Sequence, residues 1–268
     1  RLRARCARDR VHYLPFHPCS GQIRLDFAER LLEWPEVFHV TLSGVTLAPS
    51  LDTPALRTQA LDAVVRILHN EGLVTGWRNE VLAVASAFGE QPLFHIERAA
   101  LHFFGLPLHA VQVHGISGHG MWLARRSAGK PVDPGLLDTL VGGGIGNGLG
   151  IEDTLLKECE EEAGIDAAVA SRAIATGTVR TARPAPDGWH AEVQFTHDLL
   201  LPDDFHPVSR DGEVAEFLLL PLPEVLEIMT GSNDLTVEAC AAIADFMLRT
   251  RFIAPDAPGT QALREFIQ

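Results

Sequence analysis

The chain has 268 residues, 46% of them hydrophobic and 21% charged, with a formal net charge of −13. That balance describes an ordinary globular protein, long enough for one large domain or two modest ones. Its acidity excludes nonspecific nucleic-acid binding, which needs a basic surface.

No apolar run approaches the roughly 20 residues of a membrane span. The opening RLRARCARDR carries five arginines but no apolar stretch of the secretory kind, so a solvated basic arm is expected. Four cysteines, Cys6, Cys19, Cys159 and Cys240, form no C-x-x-C pair and no metal spacing. They read as reduced thiols in a cytoplasm.

The first hundred residues read as mixed α/β. Asp26 is placed to cap a short helix with Phe27, Leu31 and Trp34 at helical spacing, and 35–49 (PEVFHVTLSGVTLAP) is extended. Thr53-Pro54 marks a helix start, Leu61, Val64, Val65 and Leu68 form its apolar face, and Gly72 ends it. GWRNEVLAV, from Gly76, places Trp77, Arg78, Asn79 and Glu80 in a turn before a strand. Arg78 is a candidate ligand contact, with an Arg78–Glu80 structural pair as the alternative. IERAALHFFG, from Ile96, predicts a short helix with Glu97 and Arg98 in its first turn. FFGLPL at 103–108 breaks it and divides an N-terminal α/β domain, 1–108, from a second domain, 109–268.

HAVQVHGI and MWLARRS predict a hairpin connected by Gly115–Gly120, with His114 and His119 near its turn as structural or exposed residues. Leu137–Val141 is a short strand feeding a glycine-rich turn that holds Gly143 and Gly144. The following segment predicts a helix: it lacks proline, has Glu152 and Asp153 in its first turn, and stops at Gly164. Helical spacing places Glu158, Glu161 and Glu162 on one face, with Leu156, Cys159 and Ala163 on another. Glu160 reads as solvated surface. Three carboxylates suit a hard divalent cation, Mg²⁺ first. Backbone amides of the glycine turn can approach an anion, so metal and anion cradle together describe phosphate chemistry. Neither a G-x-G-x-x-G fingerprint nor a Walker loop fits the glycines.

Beyond the helix, SRAIATGTVRTAR and WHAEVQFTHDLLL read as strands separated by the loop PAPDG, with Glu192 on the second. Asp211, Glu213 and Glu216 precede or enter another strand, a helix starts at Pro223, and a longer one over about 235–249 buries Ala239, Ile243, Phe246 and Met247. Glu192 and Glu213 are candidates for a further metal ligand or base, with solvated loop acids as the alternative.

The stretch GGIGNGLGIEDTLLKECEEEAGI, Gly143–Ile165, resembles the Nudix box, G-x5-E-x7-R-E-U-x-E-E-x-G-U. Lys157-Glu158 stands at the R-E pair and Glu161-Glu162 at the E-E pair. Leu149 replaces the early Glu and Lys157 the Arg, so the ion pair that commonly braces the box is missing. GWRNE and ERAALHFFGLP further resemble a Nudix branch with an N-terminal domain, related to thiamine pyrophosphokinase fusions and associated with oxidised thiamine diphosphates.

The resemblance implies an α/β/α sandwich with a mixed sheet, preceded by a smaller α/β domain that shapes the substrate pocket. It implies Mg²⁺-dependent, or Mn²⁺-dependent, hydrolysis of a small-molecule diphosphate. Glu158, Glu161 and Glu162 would hold the metal, with Glu158 and Glu161 catalytic. Two rivals are a diphosphate-binding module without turnover and a diphosphate isomerase needing a poised Cys. No nucleic-acid or membrane partner is implied, and a homodimer is left open.

Overall fold

A computed structural model describes residues 13–19 and 21–267; Cys6 and the basic arm lie outside them. Short alternating segments at the start form β1 (Tyr13–His17), β2 (Gly21–Arg24), β3 (Phe38–Thr41) and β4 (Gly44–Leu47), a sheet in the order β2-β1-β4-β3. Helix α1 (Leu25–Leu31) sits between β2 and β3, and α2 (Pro54–Asn70) follows β4. The α2 start is as the sequence indicates: Pro54 opens the helix and Thr53 accepts the Leu56 N–H at 3.3 Å. Its buried face is Leu61, Val64, Val65 and Leu68. A ladder of β5 (Val81–Val84) and β6 (Phe94–Glu97) completes this part.

Its core consists of residues from Phe16 to Leu106. Phe16 anchors it, with ring centroids 5.5 Å from Phe104 and 6.3 Å from Phe94.

Two local expectations are corrected. Asp26 lies inside α1 rather than before it, where its Oδ1 accepts the Phe27 N–H at 2.9 Å and its carboxylate pairs with Arg24. The helix expected from Ile96 is a strand end followed by one 3-10 turn, Arg98–Ala100. Glu97 accounts for the difference. Its Oε1 accepts the N–H groups of Arg78 at 3.0 Å and Ala99 at 3.3 Å, which pins a tight corner where a helix would continue.

The remaining strands are β7 (Pro107–Ser117), β8 (Gly120–Arg126), β9 (Leu137–Thr139), β10 (Val141–Gly144), β11 (Ile174–Ala185), β12 (Gly188–Leu200) and β13 (Val214–Leu220). They form a seven-stranded sheet of order β11-β12-β7-β8-β13, with β10 on β7 and β9 on β8. The β12–β7 pairing is parallel and the others antiparallel, so the sheet is mixed.

Alternation along β8 separates two cores. Trp122 joins Val111, Val141, Leu155 and Cys159 under helix α3 (Ile151–Ala163). Met121 and Leu123 join Val225 of α4 (Leu222–Gly231) and Cys240, Ile243 and Met247 of α5 (Val237–Arg249). Helices therefore cover both faces, and the α/β/α sandwich is present.

Both hairpins are tighter than expected. Only Gly118 and His119 connect β7 to β8, and only Pro186 and Asp187 connect β11 to β12. Pro184 is tolerated within β11 because β11 is an edge strand, where a missing N–H costs no ladder bond. Among the described residues, no helix is long and apolar enough to cross a membrane.

Helix α3 begins after Gly150, whose N–H donates to Asp153 at 3.2 Å, and ends at Gly164 with φ +65°. A Cβ on residue 164 would add left-handed strain and lie 3.0 Å from the Val208 carbonyl. Gly164→Ala should therefore lose about 1 kcal/mol, read as a lower urea midpoint at unchanged m. A wild-type midpoint would show that the helix ends differently.

Candidate active site

The site is built where α3 lies against β10. Gly142 donates its N–H to Glu162 Oε2 at 2.9 Å. A Cβ on Gly143 would overlap the side chain of Glu158, and one on Gly144 would meet the guanidinium of Arg98.

The turn expected at Gly143 and Gly144 is corrected. They are strand residues paired with Val111 and Ala110, and both line the cleft of the site. Their missing side chains make room for an acid and an arginine. The irregular segment of the box is 145–150.

The three helix acids line one cleft of about 450 Å³, together with Arg78, Glu192 and Glu213. Within it they divide into two groups. Lys157 Nζ bridges Glu158 Oε1 at 3.0 Å and Glu161 Oε2 at 2.6 Å. Glu162 is buried and turns the other way, where one oxygen each from Glu162, Asp211 and Glu213 lie within 4.8 Å of one another.

The 208–213 segment reaches this point by tracking the end of α3. Val208 N–H donates to Ala163 O at 3.0 Å and Arg210 N–H to Glu161 O at 2.8 Å. Glu160 faces outward, exposed and paired with Arg210 at 2.7 Å.

Burial pushes Glu162 up to about 8, with Glu158 and Asp138 adding repulsion against the Gly142 amide and Lys130. Burial also pushes Glu192 up to about 8, reinforced by Glu238 and Asp138. Carboxylates so crowded want positive charge. The donors are hard oxygens, so the residues present fit Mg²⁺ or Mn²⁺.

Cations ring the same cleft, each tied to an acid. Arg98 meets Glu80 at 2.8 Å, Arg126 meets Asp138 at 3.0 Å, and Lys130 pairs with Glu213. Arg183 holds Asp133 at 2.8 Å and Glu238 at 3.3 Å. Glu80 thus pairs with Arg98 rather than Arg78, whose exposed side chain lines the cleft.

Arg183, Asp211 and Glu238 carried no motif signal. The one hint was that acids of 211–216 precede a strand. His114 is buried and bonds Asp198 at 2.9 Å, and His119 is exposed, as the sequence suggests.

Residues 108–239 match the family model described as "NUDIX domain", and residues 5–107 match the one described as "Domain of unknown function (DUF4743)". The chain is 38% identical over 256 residues to Nudix hydrolase 24, chloroplastic, of Arabidopsis thaliana, covering 92% of this chain and 70% of that protein. It is 36% identical over 263 residues to Nudix hydrolase 20, chloroplastic, of the same plant, with the same two coverages. A solved Deinococcus radiodurans protein shares 16% identity at a TM-score of 0.46, covering 70% of this chain and 100% of that one. The chain belongs to the Nudix hydrolases, pyrophosphohydrolases acting on diphosphate compounds.

Two measurements probe this geometry. Glu161→Gln should lower Mg²⁺ affinity and turnover together, whereas Glu160→Gln on the outer face should change neither. Equal effects would mean the helix face is misplaced. The second probe is pH. An unfolded Glu192 loses its proton near 4.5 but the folded one near 8. Between these values the unfolded state binds fewer protons, so folding stability falls as pH rises. In EDTA, the melting temperature of Glu192→Gln should fall less steeply between about pH 5 and about 8 than that of wild type. Parallel slopes would show that Glu192 ionises normally.

Proposed function

We propose that the chain hydrolyses oxidised thiamine diphosphate to its monophosphate, releasing inorganic phosphate. The observation that carries the hydrolytic reading is one cleft lined both by the α3 acids and by cations from both halves of the chain. Arg78 and Arg98 come from the N-terminal 1–108 segment, which we assign as a domain shaping the substrate pocket. The choice of substrate is supported by the GWRNE and ERAALHFFGLP segments, which supply those arginines.

Glu158, Glu161 and Glu162 would hold Mg²⁺, with Glu213 beside them. The ion would supply neutralisation of phosphate charge and a more acidic bound water. Lys157 keeps Glu158 and Glu161 side by side and presents an ammonium at the cleft. Arg78 and Arg98 are placed to meet the diphosphate oxygens. Glu192, whose affinity for a proton is raised by burial to a pKa of about 8, suits proton uptake from the attacking water. The attacking oxygen joins the terminal phosphorus, the bridging P–O bond breaks, and the monophosphate leaves.

The non-hydrolytic reading has one specific observation in its favour. Lys157 occupies Glu158 and Glu161, and Leu149 stands exposed where the box would place a second acid. The isomerase reading loses its thiol: Cys159 is fully buried in the core, where burial pushes it up to about 12.

Wild type, Leu149→Glu and Glu158→Gln/Glu161→Gln should be assayed with Mg²⁺ or Mn²⁺ on thiamine, nucleoside and sugar diphosphates. Leu149→Glu adds at most an exposed pair worth about 0–1 kcal/mol, so its gain should stay within several-fold. Wild type indistinguishable from the double variant on every substrate would end the hydrolase reading. A nucleotide sugar preferred tenfold, about 1.4 kcal/mol in transition-state stabilisation, would end the thiamine assignment alone.

A further inference from the structure

A second cluster of ligand-type side chains stands at the seam where the β11–β12 tip meets the N-terminal half. The tip is fastened there by two bonds to its backbone. Trp189 N–H donates to His102 O at 2.9 Å, and Tyr13 donates its hydroxyl to Gly188 O at 3.1 Å. This register brings His102, Asp187 and His190 together, with one ligand atom of each within 4.8 Å of the others.

His102 Nε2 lies 3.1 Å from Asp187 Oδ2, and His190 Nε2 lies 3.1 Å from Asp187 Oδ1. A tetrahedral ion with bonds of about 2.0–2.1 Å spaces its ligands about 3.3–3.4 Å apart, so the carboxylate already lies near ligand spacing from each nitrogen, and the nitrogens, within 4.8 Å, would close around the ion. The two contacts differ in kind. His190 makes a well-aligned hydrogen bond to the carboxylate, whereas the buried His102 Nε2 meets it at the same distance but out of line. A buried ring nitrogen so poorly aligned gains from an ion placed on its lone pair.

We propose that His102, Asp187 and His190 form a binding site for a borderline divalent cation of the Zn²⁺ or Co²⁺ class, separate from the carboxylate site on α3. Donor chemistry separates the two sites. Two imidazoles with one carboxylate favour zinc-like ions, whereas the all-oxygen glutamate cluster favours Mg²⁺ or Mn²⁺. All three residues also line the cleft, so three protein ligands leave a coordination position facing it. An ion there would join residues from both halves of the chain and present a positive charge to a bound anion. The inference does not rest on hydrolytic turnover.

The test is Co²⁺ titration of the full chain in millimolar Mg²⁺, read by visible absorption of imidazole-bound Co²⁺. Wild type should take up one equivalent. Glu158→Gln/Glu161→Gln should bind it with unchanged affinity, whereas His190→Asn and Asp187→Asn should each weaken it at least about tenfold. Circular dichroism confirms that the variants fold, and NMR line broadening of the His102 and His190 ring protons by Co²⁺ in wild type gives a readout independent of them. A Co²⁺ signal lost in the glutamate double variant, or kept in both seam variants, would overturn the proposal. So would ring protons of His102 and His190 unaffected by Co²⁺.

Discussion

The arrangement of the site depends on how closely helix α3 can lie on strand β10. Gly142, Gly143 and Gly144 remove three side chains from the strand, and the space at 143 is taken by Glu158. Any larger residue there would lift the helix. Glu162 would then lose the Gly142 amide, the bond that opposes its crowding by other acids. The 208–213 segment would move as well, since its amides are tied to the carbonyls of Glu161 and Ala163. One steric allowance thus positions carboxylates from the helix and from a loop some fifty residues later.

The second organising feature is charge held in pairs. The chain is strongly acidic overall, yet its cleft contains Arg98, Arg126, Lys130 and Arg183, each joined to a carboxylate. An entering anion and cation would exchange partners with an existing network rather than meet bare charges. Such exchange avoids leaving buried charges unpaired, the costliest electrostatic arrangement in a protein interior.

Local patterns made much of this fold legible. Helix α3 showed an uninterrupted helical segment, acids in its first turn and a terminal glycine; α2 showed Thr-Pro and an apolar face. The glycine run misled, because a stretch that usually marks a turn is here strand, fixed by pairing with β7. Pro184 misled similarly, since only the edge position of β11 lets it lie within a strand. The grouping of the cations was illegible for another reason. Arg98, Arg126 and Arg183 lie far apart in sequence, in a 3-10 turn and two strands, and only the tertiary fold brings them to one cleft. Asp211 needed the path of a loop along a helix end, which no periodicity records.

The tip of the β11–β12 hairpin carries a practical consequence for dissecting the chain. Trp189 stacks edge-on against Tyr13 at 5.0 Å, and Pro186 O accepts from Arg24. A fragment cut before β7 would retain the whole sheet but strip the cover from this aromatic tip at the end of an edge strand. Uncovered edges of that kind recruit other copies of themselves. Such a fragment would be prone to self-association, and failure to recover it as soluble protein would say nothing about the integrity of its fold within the intact chain.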